Sequence, residues 1–424
     1  MTTTPQPAAP AAASRPAAMR FILLTVLLDM VAIGLIIPVL PVLVGQFTTD
    51  RSSQAFWYGA IMVAFGLANF VCSPILGALS DRFGRRPVLL LGFCGFAFSF
   101  FGTALATQLW MLIAIRFVSG GLQANVAVAN AYVADISAPA DRSKRFGQIG
   151  AMFGIGFIIG PVMGGLLGAI DVRLPFFVAG GLALMNLVYG YFVLPESLPV
   201  EQRRPVSLRN ANPVASLRHL RGLKNVGGLV AVLALANLAQ FVLHTSWVLY
   251  TTFRFGWTTE ENGWSLFAVG VASVFVQGFL LQKLLRRFGP ARLASYGLVS
   301  STIAYLLWAL AFEGWMMYVV IGFNLLGFTV ASAIQGIVSN AADPRTQGQS
   351  MGAVASLASL AAVVAPMIGA PLLGLVSHLP PDDWRVGAPF FFCAALMGLS
   401  TVLAFRHFKH RPRHEFEPAA GTVH

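Results

Sequence analysis

Long apolar runs recur along the whole chain, separated by short polar gaps, and this pattern constrains the fold more than any other feature. The hydrocarbon core of a bilayer is about 30 Å thick, so a helix needs about 20 apolar residues to cross it. Twelve runs approach or exceed that length. Their residues do not alternate between polar and apolar, as they do in the strands of a membrane barrel. The sequence therefore predicts an all-α integral membrane protein.

The composition agrees with a chain that lies mostly in lipid. Hydrophobic residues make up 57% of the chain and charged residues 10%, whereas soluble domains carry about 25% charged residues. The weakest boundaries between predicted segments are the very short turns around Gln108 and Glu313. The twelve predicted segments are residues 20–44, 56–79, 87–107, 109–133, 146–169, 175–195, 226–251, 262–283, 291–312, 314–337, 349–374 and 386–408.

Both ends of the chain are predicted to be cytoplasmic. With the amino terminus inside, Lys and Arg collect in the cytoplasmic gaps, as the positive-inside rule requires. Asp and Glu are relatively enriched on the other side. Residues 1–19 are rich in Ala, Pro and Thr and are predicted to be disordered. A cleaved signal peptide is the alternative, but the run at 20–44 exceeds the roughly 7–15 residues of a signal peptide's apolar region.

Other classes of protein fit the sequence less well. The net charge of +12 could suggest nucleic acid, but the cations lie in gaps between membrane segments, so no nucleic-acid partner is expected. Cys72, Cys94 and Cys393 lie inside apolar runs without CxxC spacing and are interpreted as packing residues, not metal ligands. A membrane-embedded enzyme would need a nucleophile with a paired base, which does not appear at a workable spacing. A channel would more plausibly show an oligomeric selectivity motif than a repeat.

An internal repeat divides the chain into two halves. Arg82-Phe83-Gly84 recurs as Arg287-Phe288-Gly289, and the further pairs are Pro139 with Pro344, Pro161 with Pro366, and Gly164 with Gly369. Every pair is about 205 positions apart. Two repeated halves with a substrate site between them are typical of secondary transporters. The predicted domains are residues 20–195 and 226–408, each of six helices, with a cytoplasmic linker at 196–225 and a cytoplasmic tail at 409–424.

The stretch G-A-L-S-D-R-F-G-R-R-P, Gly77 to Pro87, joins the second and third segments. Its glycines permit a sharp turn, Asp81 can accept hydrogen bonds, and the paired arginines can reach a carboxylate or a lipid phosphate. A cationic loop that only sets the orientation in the membrane is the simpler alternative. The ordered string favours a cytoplasmic gate, with the residues Gly77, Asp81, Arg82, Gly84, Arg85, Arg86 and Asp135.

Two charged residues lie inside predicted membrane segments, Asp29 in the first and Arg116 in the fourth. A charge at the centre of a membrane helix costs about 2.5–3.5 kcal/mol on insertion scales, so each requires an explanation. An aspartate whose protonation is balanced between apolar surroundings and a nearby cation suits a proton carrier. The alternative is a permanent structural ion pair between the two residues.

The fifth segment contains G-A-M-F-G-I-G-F-I-I-G-P-V-M-G-G, from Gly150 to Gly165. Glycines at this density let another helix approach closely, and a proline kinks the helix because it lacks a hydrogen-bond donor. A plain packing helix would also explain the glycines. The motif residues are Gly150, Gly154, Gly160, Pro161, Gly164 and Gly165.

These stretches resemble the motifs of the major facilitator superfamily, and more narrowly of its twelve-helix drug:proton antiporters. Gly77–Pro87 matches the loop between helices two and three, Arg116 lies in the fourth-helix motif, and Gly150–Gly165 matches the antiporter motif. The similarity is greatest to the tetracycline-efflux proteins and covers most of the chain. It is carried by L-D-M-V-A-I-G-L-I-I-P-V-L-P from Leu28, A-D-I-S-A-P-A-D-R-S-K-R-F-G from Ala134, L-P-E-S from Leu194, R-F-G-W from Arg254, E-G-W from Glu313 and Q-G from Gln335.

The resemblance implies the major facilitator fold in a bacterial inner membrane and rocker-switch exchange of a drug for a proton. Asp29 and Arg116 are the coupling residues that it carries over. The proton is then the coupling ion, no cofactor is expected, and a metal would enter only if chelated by a tetracycline. The expected partners are a small-molecule drug or metabolite and membrane lipids, with the transporter acting as a monomer.

The chain also departs from the tetracycline branch. Further carboxylates of that branch, in helices three and nine, align with Ser99 and Ser301, so both charges are lost here. The stretch Gly121–Val126 differs from the branch's run of small residues, and His244 stands where a glutamine is expected. The resemblance therefore supports the scaffold more strongly than it supports tetracycline as the substrate.

Polar residues within apolar helices are the candidates for a central substrate cavity. Each could instead form a hydrogen bond between helices, the commoner role of a single Asn or Gln in a bundle. A lone histidine is also more often structural, although it could titrate near neutral pH. The candidates are Asn69, Gln123, Asn125, Gln240, His244, Trp247, Gln335, Ser99 and Ser301, with Phe65 as a further ring platform.

The leading interpretation is a proton-driven exporter of an amphipathic drug. A nucleotide-driven pump is not indicated, because no G-x-x-x-x-G-K-[ST] string is present. Export of an unrelated metabolite, or uptake by symport on the same fold, are the alternatives that remain open.

Overall fold

The computed structural model describes residues 15–123, 125–137, 141–203, 227–341 and 347–409. Across those residues, twelve helices are long and apolar enough to cross a membrane, which confirms the predicted all-α fold and number of spans. We number them in chain order: α1 Ala18–Gly45, α2 Arg51–Phe83, α3 Arg85–Leu105, α4 Leu109–Ile136, α5 Lys144–Ile170, α6 Leu174–Val193, α7 Gly228–Phe255, α8 Thr259–Phe288, α9 Pro290–Leu310, α10 Gly314–Val338, α11 Val354–Val376 and α12 Trp384–Lys409.

The ends of the helices differ from the predicted segments where polar residues continue a helix beyond its apolar part. The α2 helix starts at Arg51, five residues before the predicted segment, because the carboxylate of Asp50 accepts a hydrogen bond from the Ser53 amide at 2.9 Å and caps the first turn. The predicted features at residues 1–14, most of the linker (204–225) and the repeat positions Pro139 and Pro344 lie outside the described residues.

Four of the spans are interrupted within the described residues. Pro38 and Pro41 divide α1 into Arg15–Ile36 and Leu40–Gly45, as expected of residues that cannot donate a backbone hydrogen bond. The other breaks are the gap between Leu109–Leu122 and Asn125–Ile136 in α4, a π-helical turn at Val276–Leu280 in α8, and a 3₁₀ turn at Asn324–Thr329 in α10.

The repeat is visible in the backbone. Gly84, between α2 and α3, has φ of +106°, and Gly289, at the matching position between α8 and α9, has φ of +73°. Residues other than glycine rarely adopt positive φ angles, because their Cβ atom clashes with the backbone. Both turns therefore favour glycine. Pro161 and Pro366 likewise both lie inside long helices, α5 and α11. These matched positions therefore share their local backbone features.

The α5 helix packs against α1 and α8 through its glycines. A Cβ added to Gly160 would lie 2.7 Å from the Cα of Gly34 in α1, and one added to Gly164 would clash with the carbonyl of Leu35. On the other side, a Cβ on Gly165 would lie 2.7 Å from the carbonyl oxygen of Thr259, the first residue of α8. The glycines thus let α5 pack backbone to backbone against α1 of the first half and against α8 of the second half.

The two halves touch at one end of the bundle, which we call the closed end; it carries the turns at 46–50, 171–173, 256–258 and 377–383. A Cβ on Gly59 of α2 would lie 2.6 Å from the Cβ of Ala370 in α11, and Arg51 donates to the carbonyl of Phe253 at 3.4 Å. Near the other end, which we call the open end, a Cβ on Gly150 or Gly278 would have no neighbour within 4 Å among the described residues. The described contacts between Gly59 and Ala370 and between Arg51 and Phe253 therefore lie at the end opposite the Gly77–Pro87 loop.

Candidate transport site

A cavity of about 750 Å³ lies between the two halves, with walls from both. Its volume falls within the roughly 300–1,000 Å³ of sites that hold drug-sized ligands. Most of its lining is apolar or aromatic, as in other sites for amphipathic molecules. The polar side chains that line it are Tyr58, Asn69, Arg116, Gln123, Asn237, Gln240, His244, Thr245, Ser273, Gln277, Ser301, Tyr305, Asn324 and Ser359.

The structure brings most of the predicted cavity residues together. Six of them line the cavity, as does Phe65: Asn69, Gln123, Gln240, His244, Trp247 and Ser301. Ser99 is instead fully buried in α3, with no hydrogen-bond partner for its Oγ in the described part of the chain. Gln335 lies further along α10, outside the lining. The side chain of Asn125 is outside what the structure describes.

Asn69 supports the break in α4. Its Nδ2 donates to the carbonyl oxygen of Gln123 at 2.6 Å and, more weakly, to that of Gly120 at 3.4 Å. The last carbonyl groups of a helix lack hydrogen-bond donors within the helix. The side-chain amide of Asn69, on the neighbouring helix, supplies such a donor. The sequence left two roles open for Asn69, a place on the cavity and a hydrogen bond between helices. The structure shows both.

A short chain of hydrogen bonds crosses the second half's wall. Tyr305 of α9 donates to Oε1 of Gln240 at 3.2 Å, and Nε2 of Gln240 lies 2.8 Å from Nε2 of His244. Trp247 is anchored next to this chain, because its Nε1 donates to Ser265 at 3.0 Å. The four-residue spacing of Gln240 and His244 on α7 puts both on one helix face. Tyr305 was not predicted as a cavity residue, because the residue pattern of α9 does not show that it contacts Gln240 of α7.

The break in α10 is held by hydroxyl groups of α9. Ser300 and Ser301 both donate to Oδ1 of Asn324, at 3.2 and 3.3 Å. Asn324 begins the 3₁₀ turn, and a side chain at Gly327 would clash with Ser301 and Asn324. Ser301 thus lines the cavity and fixes the backbone of the neighbouring helix. Asn324 was missed because its partner comes from another helix.

Arg116 is the one cation on the cavity wall within the described residues. It is 6% exposed, and its Nε and Nη2 atoms have no hydrogen-bond partner in the part of the chain that the structure describes. A guanidinium group remains charged and carries five N–H donors. The wall therefore presents a buried positive charge with donors to spare.

Asp29 lies apart from this cavity. It lines a separate pocket of about 10 Å³, roughly the room of one water molecule, among apolar side chains that include Leu89 and Phe93. Its Oδ1 accepts a hydrogen bond from Nδ2 of Asn186 in α6 at 3.0 Å. The two residues predicted to share proton coupling therefore line different spaces within the first half.

The predicted gate folds around Arg85. Its guanidinium donates to Asp81 at 2.5 Å, to Asp135 at 3.1 Å and to the hydroxyl of Ser80 at 2.7 Å. Asp81 also keeps about half of its side chain exposed. The gate thus joins the end of α2 and the start of α3 to the end of α4, with a carboxylate still accessible at the open end.

Glu196, just after α6, completes this cluster. Its carboxylate accepts from the backbone amides of Arg85 and Arg86 at 2.8 and 3.2 Å, the first residues of α3. A carboxylate at a helix N-terminus satisfies amides that have no partner inside the helix. Gly84 leaves room for it, since a Cβ there would clash with Glu196. From the sequence, Glu196 was named only as part of L-P-E-S. Its capping role could not be predicted, because the helix that it caps begins more than a hundred residues earlier in the chain.

Comparison with known proteins identifies the scaffold. A model of the Major Facilitator Superfamily matches residues 22–366. The chain belongs to this superfamily. As a major facilitator protein it is 40% identical over 347 residues to the tetracycline resistance protein, class C, of Escherichia coli, a match covering 82% of this chain and 87% of the relative. It is 28% identical to multidrug resistance protein 2 of Bacillus subtilis, covering 89% and 92% of the two chains.

Solved structures agree on the fold. The crystal structure of the human organic anion transporter MFSD10 matches this major facilitator protein with a TM-score of 0.68 and 25% identity, covering 92% of this chain and 99% of that one. The crystal structure of a D-xylose-proton symporter matches with a TM-score of 0.72 at 18% identity. The protein is therefore a multi-pass membrane transporter of a small molecule, and the tetracycline-resistance relatives place it in a bacterial inner membrane.

Proposed function

We propose that this transporter exports amphipathic drugs, tetracycline-like compounds among them, in exchange for protons. The observation that carries the proposal is the separation of two sites in one bundle. A drug-sized cavity lies between the halves, while Asp29 lines a separate pocket of about 10 Å³ that is too small for a drug. The curated relatives named for tetracycline and multidrug resistance support the direction of transport.

The location of Asp29 suggests how a proton could drive the conformational change. Met30, the next residue, packs against Gly156 of α5 so closely that an added Cβ there would clash with it. Asn186 meanwhile joins Asp29 to α6. A proton that neutralises Asp29 therefore alters the electrostatics beside the α1–α5 contact, and α5 also contacts the second half through α8. The protonation state of Asp29 is therefore linked, through α5, to the position of the first half relative to the second.

The gate is proposed to act on the conformational cycle. In this structure its carboxylates and Arg85 bind each other within the first half, at the end where the halves are apart. The exposed part of Asp81 can contact the second half when the open end closes. The gate would then stabilise the outward-facing state without touching the cargo.

The membrane supplies the energy under this proposal. With both termini cytoplasmic, as the distribution of cations favours, the cavity described here faces the cytoplasm and collects its cargo there. An inward proton releases about 2.3 kcal/mol per 100 mV of membrane potential. No cofactor is required, a metal would arrive only bound to its cargo, and a monomer surrounded by lipid contains the whole pathway.

Everted membrane vesicles test the function directly. Vesicles containing the transporter are energised, and the release of protons from the interior is followed as tetracyclines, quinolones, phenicols and dyes are added one at a time. We expect proton release with at least one class of compound, and none in vesicles that carry Asp29→Asn. If no compound moves protons in either sample while the wild-type protein is present in the membrane, drug:proton antiport is contradicted.

A further inference from the structure

We infer that the preferred cargo is an aromatic organic anion whose acidic group binds Arg116. This inference rests on the export function proposed above and specifies its substrate class. The names of the tetracycline and multidrug resistance relatives do not state the charge of the cargo, while the solved relative MFSD10 is named an organic anion transporter. For this chain, the charges on its own cavity wall carry the inference.

Arg116 presents an unsatisfied binding group. Its guanidinium is nearly enclosed, yet two of its nitrogen atoms lack acceptors in the described part of the chain. A buried charge without a partner is strongly unfavourable, so a ligand that supplies the acceptor gains from relieving it. A carboxylate matches a guanidinium best, because two parallel N–H···O bonds can form at once.

The cavity offers no matching group for a cation. Its lining includes neither Asp nor Glu among the described residues. Asp29 lines the other pocket. Aromatic faces such as that of Trp308 could attract a cation. A positive guanidinium in the same low-dielectric space opposes that attraction, and no carboxylate is present to offset it.

The rest of the wall fits an aromatic body. Ring platforms from both halves, among them Phe65, Phe100, Trp247 and Trp308, surround the cavity. Side-chain amides such as Gln123 and Asn237 supply donors and acceptors between the rings. Rings bury large apolar areas, and a few placed polar groups fix their orientation. One acidic group on an aromatic frame therefore satisfies every part of the described lining.

The charge of the cargo also sets the electrical behaviour of the exchange. An anion that leaves and a proton that enters both carry positive charge inward, so the membrane potential favours both movements. A one-for-one exchange of a monovalent cation for a proton moves no net charge. Electrogenic exchange is accordingly expected for the anion.

Two probes with the same ring system separate the possibilities: 2-naphthoate, an anion, and 2-naphthylmethylammonium, a cation. Binding of each to the purified transporter is measured by isothermal titration calorimetry. We expect the anion to bind at least about tenfold more tightly, since a hydrogen-bonded charge pair is gained with one probe only. In proteoliposomes, export of the anion should generate a membrane current. Equal or tighter binding of the cation, or binding of neither probe, overturns the inference.

The variant Arg116→Gln should lose this preference, and Arg116→Lys should keep part of it, because lysine retains the charge but not the planar fork. Arg254→Gln is the matched control: Arg254 is also 6% exposed but binds the carbonyls of Ala311 and Asp383 at the closed end, away from the cavity. A folded Arg116→Gln protein that keeps the wild-type preference contradicts the inference. If Arg116→Gln does not fold, the wild-type comparison of the two probes still decides.

The two proposals fail in different ways. Proton release that accompanies only cationic or neutral compounds leaves export in place and removes the anion preference. Tight binding of the anion without any proton movement leaves the anion site in place and removes antiport.

Discussion

Asn186 of α6 donates to the carboxylate of Asp29 in α1 at 3.0 Å, between two helices of the first half and outside the central cavity. Nδ2 of Asn186 also reaches the carbonyl oxygen of Thr25 at 3.3 Å, one turn earlier. The carboxylate is therefore held by a neutral partner that donates to it whether or not it carries a proton. Such a partner keeps the residue in place through a protonation cycle.

Asp29→Asn should abolish proton-coupled efflux. The amide cannot exchange a proton, while its size matches and it can still accept a hydrogen bond from Asn186. Drug accumulation in cells with and without an uncoupler measures the effect, and immunoblotting of membranes checks that the protein is present. We expect accumulation equal to that in cells without the transporter. Accumulation as low as with the wild type would remove Asp29 from the coupling mechanism.

Gly164→Ala should destabilise the transporter, whereas Gly150→Ala should be tolerated in this conformation. The added methyl group at residue 164 would clash with the carbonyl of Leu35, and overpacking of this kind costs about 1–3 kcal/mol. The same group at residue 150 meets nothing within 4 Å. The thermal midpoints of the two purified variants in detergent provide the comparison. Equal midpoints would show that α1 and α5 are packed less closely than described.

A disulfide between Ala55→Cys and Gly374→Cys should trap the closed end. A Cβ on residue 374 would lie 3.8 Å from that of Ala55, within the roughly 3.5–4.5 Å found in disulfides. Cys72, Cys94 and Cys393 are first replaced by alanine. Oxidation should stop efflux and leave drug binding from the open end intact, and reduction should restore efflux. The two single-cysteine variants are the controls, and efflux that continues in the cross-linked protein would contradict rocking at this end.

Arg85→Ala should slow transport without weakening equilibrium binding of the drug. The substitution removes the bonds to Asp81 and Asp135 and leaves their carboxylates without a cation, while every atom of the cavity wall stays in place. Arg287→Ala in the matching loop of the second half removes a cation that contacts the ring of Phe288 and serves as control. Exchange rates in proteoliposomes and binding by calorimetry separate the two effects. A large loss of affinity with normal exchange would contradict the role of the gate.

Ser301→Asp should move the preference from anions toward cations. The new carboxylate would line the cavity. We expect a cationic cargo to bind about tenfold more tightly and an anionic cargo about tenfold more weakly than to the wild type. Ser99→Asp is the contrasting variant, because Ser99 is buried outside the cavity lining, so a carboxylate there should leave the selectivity unchanged. The two naphthyl probes report the ratio. An unchanged ratio in Ser301→Asp would show that the charge on this wall does not select the cargo.

The sequence predicted the spans and the repeat because both depend on local properties: apolar length and the glycine or proline needed at a turn or kink. It also placed Gln123, Gln240 and His244 on the cavity, since polar residues in apolar helices need an aqueous or paired environment. It could not place Glu196 under α3, or Asn69 against the break in α4. Those contacts join residues far apart in the chain, and only the packing of helices brings them together.

The contact between Gly165 and Gly263 has a consequence for leakage. A Cβ on Gly263 would lie 3.1 Å from the Cα of Gly165, so backbone rather than side chains seals this part of the closed end. A side chain can rotate aside in nanoseconds and let water or an ion pass, but a backbone contact opens only when a whole helix moves. Stray ions therefore have no quick route through the resting protein at this point, and the gradient that drives transport is not dissipated between cycles.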